Sequence, residues 1–266
     1  MTSAFFPYET TTLHYTVSGH GPEPLLLFHG FGQDHRAFAT HLEVLASHYT
    51  VYAFDLYFHG QSKWGLGEQP LTKPYWKKIL QAFLDQQRLT RFSLGGFSLG
   101  GKFVLATLEA FPEKINAVFL MAPDGVKTSF WYSLATYPVM FRRFFKSMIV
   151  HPSRFTTLTR TFLTLGVVDK GLLRFAEHQM NTPEKRQQVY CSWVVFRDLR
   201  FNLRHIASLV NTHNISFTLT SGKYDKVIRP ANMHRLLRHV KTHRFEVLEC
   251  GHNALVRESI HYFLRA

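Results

Sequence analysis

Apolar residues along this chain come mainly in short runs, continuous in some and interrupted by polar residues in others. Leu25-Leu26-Leu27-Phe28, Thr50 to Phe54, Thr90 to Leu94, Ala117 to Met121, Ile215 to Thr220 and Arg244 to Leu248 are each too short for a globular helix. The continuous run Leu25 to Phe28 predicts a strand buried on both faces of a parallel sheet, and the others predict further strands of it. Thr11 to Val17 instead alternates apolar with polar, which predicts an antiparallel edge strand closed by Ser18-Gly19-His20-Gly21-Pro22. Helical spacing fills the gaps. Asp34 to Ser47 places Phe38, Leu42 and Leu45 on one face, with Asp34 as N-cap. Lys73 to Arg88 repeats the pattern through Trp76, Ile79, Leu80, Phe83 and Leu84, and Pro74 is tolerated in its first turn. Leu99 to Phe111, Pro230 to Val240 and Asn253 to Leu264 predict three more helices. Strands alternating with helices imply an α/β fold with a mostly parallel, doubly wound sheet. From Asp124 to about Leu209 the alternation stops: the stretch is aromatic, helical in spacing and broken by Pro138, Pro152 and Pro183. The predicted organisation is a core from 1–124 and 210–266 with a helical insertion at 125–209.

The ends of the predicted strands hold the chemistry. Gly96-Phe97-Ser98-Leu99-Gly100-Gly101 lies between an apolar run and a helix, the Gly-x-Ser-x-Gly pattern of a nucleophile elbow. Glycines two before and two after the serine remove side chains that would collide in so tight a turn. The turn lifts the Ser98 hydroxyl above the sheet edge and aims the Leu99 N–H at the place where an oxyanion would form. A serine hydroxyl attacks only when a base takes its proton, so a histidine must lie within hydrogen-bond reach. His252, in Cys250-Gly251-His252-Asn253 after the last strand, fits that need. Asp225, in Gly222-Lys223-Tyr224-Asp225, follows the penultimate strand and would accept the imidazole Nδ1–H.

Serine, acid, histidine, each just past a strand, resembles the α/β-hydrolase family from about Thr12 to the C-terminus, the middle insertion apart. The resemblance implies that the insertion is a helical cap over the active site. It implies His29-Gly30-Phe31-Gly32 as the oxyanion loop, with the Phe31 N–H pairing with that of Leu99 and the phenyl ring lining an acyl pocket; a core-facing Phe31 with Gly32 donating is the alternative. Asp124, after the strand at Ala117 to Met121, occupies the position from which some members supply the acid; Asp225 is preferred, leaving Asp124 at the boundary of the insertion. His29 and His59 match histidines that fix loops. Asp55 matches the structural aspartate of an Asp-x-x-Gly-His-Gly-x-Ser turn, although Phe58 replaces its first glycine. A serine at the elbow disfavours the branches whose nucleophile is a carboxylate. Lys102 stands where a menaquinone-pathway branch has arginine, yet Phe97 stands where that branch has tyrosine. Lys102 is expected as an exposed first-turn residue, or, with Phe97, Arg142 and Arg143, as a substrate contact.

The expected function is therefore a serine hydrolase that cleaves a small carboxylic ester or acyl substrate through an acyl-enzyme, with no metal or organic cofactor. The alternatives are a carbon–carbon bond hydrolase or menaquinone-type lyase on an anionic substrate, to which basic residues such as Arg142, Arg143 or Arg204 would point, and a non-catalytic ligand-binding protein. Composition narrows this little, except in charge. The chain has 266 residues, 31 Lys and Arg against 18 Asp and Glu, and a formal charge of +13. Between Gly125 and Val210 there are 13 basic residues against Asp169, Glu177, Glu184 and Asp198. No nucleic-acid-binding motif accompanies this excess, so nucleic acid is not an expected partner. The segment Ser129 to Val150 is apolar with a basic cluster: a lipid-facing helix pair giving weak membrane-surface association, an acyl-binding pair, or, the preferred reading, a pair that buries its aromatic face on the core. Two cysteines, no signal-peptide pattern and no long apolar stretch give a reduced, cytoplasmic setting as the expectation.

Overall fold

A computed structural model describes residues 1–127, 130–151, 153–157 and 180–265. Eight strands form one sheet in the order β1-β2-β4-β3-β5-β6-β7-β8. They are β1 (Thr2–Tyr8), β2 (Thr11–Ser18), β3 (Glu23–Phe28), β4 (Tyr49–Phe54), β5 (Phe92–Phe97), β6 (Ile115–Met121), β7 (Ser216–Gly222) and β8 (Arg244–Leu248). β1 pairs with β2 and β2 with β4 antiparallel; all other neighbours are parallel. The strands at the centre of the sheet are doubly covered: every residue of β5 is buried, as are the last four of β3 and of β4, whereas β8, at the far edge, buries none of its five.

Two strand expectations change. Thr11 to Val17 does form a strand, but not the edge, because β1 lies outside it. β1 gives almost no apolar signal because only Phe6 of its seven residues is buried. β5 also runs on through Gly95-Gly96-Phe97 to the residue before Ser98.

Helix α1 (Leu42–Ala46) is short and follows a 3-10 segment, His35–His41, whose N-cap Asp34 accepts from the Arg36 amide. Helix α2 (Lys73–Gln87) buries Trp76, Ile79, Leu80, Phe83 and Leu84, the expected stripe. At ~1.5–3 kcal/mol for each large side chain removed from water, this face holds the helix to the sheet. Thr72 caps its start and Arg88, at φ 56°, its end. Helix α3 (Gly100–Ala110) follows β5 directly and is buried on nearly all sides. The two expected C-terminal helices are only partly helical: His234–Leu237 and Leu255–Ser259 are α-helical turns flanked by 3-10 segments.

The chain divides into two compact units. One comprises Met1–Gly67, Leu71–Lys127 and Leu199–Ala266; the other comprises Glu68–Pro70 and Thr128–Asp198. The helix Leu203–Thr212, which straddles the end of the expected 125–209 insertion, belongs to the sheet unit. The second unit contains α4 (Phe130–Thr136), α5 (Val139–Val150) and a helix at Pro183–Val195. Its interior is aromatic: the Phe145 ring lies 5.4 Å from Tyr190 and 5.5 Å from Trp193. No helix among the described residues is long and apolar enough to cross a membrane.

Candidate active site

Parallel strands deliver their C-terminal ends to one edge of the sheet, where open α/β sheets place their ligands. Ser98 follows β5, Asp124 follows β6, Asp225 follows β7 and His252 follows β8. Ser98 adopts φ 49°, a left-handed conformation that costs a residue with a side chain of order 1–3 kcal/mol. The flanking glycines permit it. A Cβ on Gly96 would sit 2.6 Å from Val104 Cγ2, and one on Gly100 would sit 2.0 Å from the Phe28 carbonyl oxygen. Backbone hydrogen bonds then lock the turn: the Ser98 amide donates to Met121 O (2.9 Å), and Ser98 O accepts from the amides of Gly101 (2.9 Å) and Asp124 (2.8 Å).

The structure brings together Ser98, His252 and Asp225. The Ser98 hydroxyl lies 3.0 Å from His252 Nε2, and His252 Nδ1 lies 2.6 Å from Asp225 Oδ2. Asp225 is 4 % exposed, and its other oxygen accepts from the amides of Val227 and Ile228, each at 2.8 Å. With Oδ1 held by two backbone donors, Oδ2 is left to the imidazole. The ring therefore carries its proton on Nδ1 and offers Nε2 to the serine.

Phe97 is not positioned as a substrate contact. It is 2 % exposed within the core, and its ring centroid lies 4.8 Å from that of His252. Lys102 is likewise not exposed as expected. It is 5 % exposed, with Nζ 3.4 Å from Asp124 Oδ2. Asp124, whose Oδ1 also accepts from the Gly125 amide (2.7 Å), thus braces the elbow and pairs with a buried cation. Arg142 and Arg143 lie on α5 of the second unit, where Arg142 Nε is 3.9 Å from Glu68 Oε2 and Arg143 is exposed. Arg204 is exposed on the sheet unit.

Among the described residues, neither the Phe31 nor the Leu99 amide donates to a protein acceptor. The Phe31 ring packs edge-on against His59 with centroids 5.2 Å apart. Its loop is fixed by Gln33, whose Oε1 accepts from the Gly30 amide (2.9 Å), a brace the sequence reading did not identify. His29 and His59 are loop-fixing residues. His29 Nδ1 donates to Gly30 O (2.7 Å) while its Nε2 accepts from the Leu56 amide (3.0 Å). His59 Nδ1 donates to Tyr57 O (3.0 Å). Burial pushes the His29 imidazole down to about 4, and burial together with the neighbouring His29 pushes His59 down to about 3.

Phe58 takes φ 67°, so a phenylalanine adopts the left-handed conformation that glycine would adopt more cheaply. The turn closes on Asp55. Its Oδ2 accepts from His14 Nδ1 (2.7 Å) and the Gln61 amide (2.8 Å), and its Oδ1 from the amide and Nδ1 of His35, each at 2.8 Å. His14, His35 and Asp55 are the one group of potential metal donors within mutual reach among the described residues, and both ring nitrogens are already hydrogen-bonded to the carboxylate.

Residues 23–259 match a family described as the alpha/beta hydrolase fold. The chain is 32 % identical over 113 residues to the dihydrolipoyllysine-residue acetyltransferase component of the acetoin cleaving system of Cupriavidus necator, a match covering 42 % of this chain and 30 % of that protein. It is 34 % identical over 122 residues to a pimeloyl-[acyl-carrier protein] methyl ester esterase of Xanthomonas axonopodis pv. citri, covering 46 % of this chain and 45 % of that one. The chain thus spans less than half the length of either relative. A thermophilic esterase from Thermogutta terrifontis superposes with a TM-score of 0.71 at 16 % identity, covering 100 % of this chain and 98 % of that one, which is a likeness of fold. The sheet order, the strained serine after β5 and the family match over most of the length converge: the chain belongs to the alpha/beta hydrolase fold family.

Proposed function

We propose that this hydrolase-family chain cleaves a carboxylic ester through an acyl-enzyme, with Ser98 as nucleophile, His252 as general base and acid, and Asp225 as the group that orients His252. The observation that carries the reading is the unbroken row from Ser98 Oγ to His252 Nε2 (3.0 Å) and from His252 Nδ1 to Asp225 Oδ2 (2.6 Å). Ser98 Oγ attacks the ester carbonyl carbon as its proton passes to Nε2, and the carbonyl electron pair moves onto oxygen. The amides of Phe31 and Leu99 then hold that oxyanion, each worth ~2.7–4 kcal/mol of transition-state stabilisation. The tetrahedral species collapses, Nε2 returns the proton to the departing alkoxide, and the alcohol leaves. Water repeats the sequence: His252 takes its proton, the oxygen attacks the acyl carbon, and Ser98 is expelled with its proton restored as the acid is released.

Both curated relatives are named for acyl-group chemistry, an acetyl transfer and a methyl ester cleavage, which supports an acyl substrate here. The reading in which basic residues recognise an anion loses ground. Lys102 is paired with Asp124, and Arg142 with Glu68. A series of p-nitrophenyl esters of increasing acyl length, run beside an anionic carbon–carbon substrate, tests the proposal. Ester turnover that Ser98→Ala lowers by several orders of magnitude supports it. Turnover of the carbon–carbon substrate alone, or ester turnover that survives Ser98→Ala, contradicts it.

A further inference from the structure

Large apolar side chains exposed to water are not scattered over the described residues. Six of the 11 fall between positions 137 and 150: Tyr137, Val139, Met140, Phe141, Phe144 and Val150. Met140 and Val150 are 71 % and 70 % exposed. The cause is the pattern of α5. Its sequence, VMFRRFFKSMIV, turns Phe145 and Met148 inward, yet the outward positions Met140, Phe144, Ser147 and Val150, at three- and four-residue spacing, are mostly apolar too. A surface helix ordinarily places charged and polar residues there.

The helix contains no acidic residue. Lys146 and Arg142 reach Glu68 at 2.6 and 3.9 Å, whereas Arg143 and Arg154, both exposed, have no acidic partner among the described residues. Exposed Met, Phe and Val interleaved with unpaired arginine is the composition of a helix lying in a bilayer interface, its apolar side among the acyl chains and its cations at the headgroups. At 12 residues, about 18 Å, α5 is too short to span a bilayer and long enough to lie on one. A second copy of this chain fits the face poorly. A two-fold contact sets the same patch against itself, which would bring two copies of the basic helix into one interface between chains of charge +13.

We propose that the outward face of α5 docks on an anionic lipid surface, with Met140, Phe144 and Val150 entering the interface and Arg143 meeting the headgroups. This holds whatever reaction the Ser98 site performs, so Ser98→Ala protein is expected to bind as the wild type does.

Co-sedimentation with vesicles of phosphatidylcholine alone, and of phosphatidylcholine mixed with phosphatidylglycerol, tests it. Binding is expected to the mixed vesicles, weakening with added salt, and only traces to phosphatidylcholine. Met140→Ser with Phe144→Ser should lower partitioning at least about tenfold, and Arg143→Gln about fivefold. All three side chains are exposed, so the unfolding temperature should hold and serves as the check on folding. Equal partitioning to both vesicle types, or wild-type partitioning by the double variant, overturns the proposal. So does a concentration-dependent dimer that the double variant abolishes, which would give the face to a second copy.

Discussion

Two buried aspartates in this molecule hold histidine rings by Nδ1, and they serve opposite ends. Asp55 accepts from His14, from both nitrogens offered by His35 and from the Gln61 amide, and the far nitrogen of His14 lies 2.7 Å from Ser3 Oγ. Every donor there is spent on joining β1 and β2 to the turns after β3 and β4. Asp225 is fed by two backbone amides on one oxygen and one imidazole on the other, and the far nitrogen of that imidazole meets a strained serine. Both rings therefore meet a serine hydroxyl at their far nitrogen, and the difference lies in the serine: Ser98 stands in a strained turn at the end of β5, whereas Ser3 lies within β1, a regularly paired strand. The pair alone does not distinguish them.

The largest effect that should separate the two is on turnover. Asp225→Asn keeps an oxygen for the Val227 and Ile228 amides but presents an amide to His252, favouring the wrong tautomer. Ester turnover should fall on the order of 10⁴-fold, with the unfolding temperature little changed. Asp124→Asn should be mild by the same assay; the reverse ranking would move the acid to the end of β6.

Asp55→Ala should do the converse. Burial opposes ionisation of Asp55, but hydrogen bonds from the His35 and Gln61 amides and from the His35 ring outweigh it, holding its carboxyl below the ordinary range. Its removal strands those donors at a cost of about 3–5 kcal/mol in urea or thermal unfolding, while turnover per folded molecule survives. Loss of turnover by well-folded Asp55→Ala protein would erase the distinction.

A smaller effect lies in the pH dependence of stability. His29 is held neutral, with its imidazole down at about 4 when folded against an ordinary 6.5. The unfolded chain therefore binds the proton first as pH falls. The stability this group contributes is full above about pH 6.5 and is lost progressively as pH drops toward 4, by roughly 3 kcal/mol in all. His29→Gln should flatten the slope of unfolding free energy in that window; an unchanged slope would mean other groups set it. Phe97→Leu should have the smallest effect, a few-fold loss of kcat as the imidazole loses the ring at 4.8 Å, with KM nearly constant.

The sequence made the reactive pair easier to read than the structural one. Ser98, Asp225 and His252 each follow an apolar run, so strand order alone aligns them at one sheet edge. His14 lies within an alternating strand and His35 in a 3-10 turn, and neither position has a motif that points to Asp55. Lys102 looked like an exposed first-turn residue because its partner Asp124 comes near only when β5 and β6 pair. β1 was illegible because a strand that buries one residue of seven leaves no hydrophobic period. The C-terminal helices looked longer than they are because apolar spacing does not separate α from 3-10 geometry.

The central claim is that the Asp225 row, and not the Asp55 cluster, activates a serine. Labelling with a fluorophosphonate probe, followed by peptide mapping, measures it most directly. The account predicts one adduct, on Ser98, absent in Ser98→Ala, slowed by orders of magnitude in His252→Ala and Asp225→Asn, and near the wild-type rate in folded Asp55→Ala. An adduct on another serine, or labelling of His252→Ala at the wild-type rate, would contradict it.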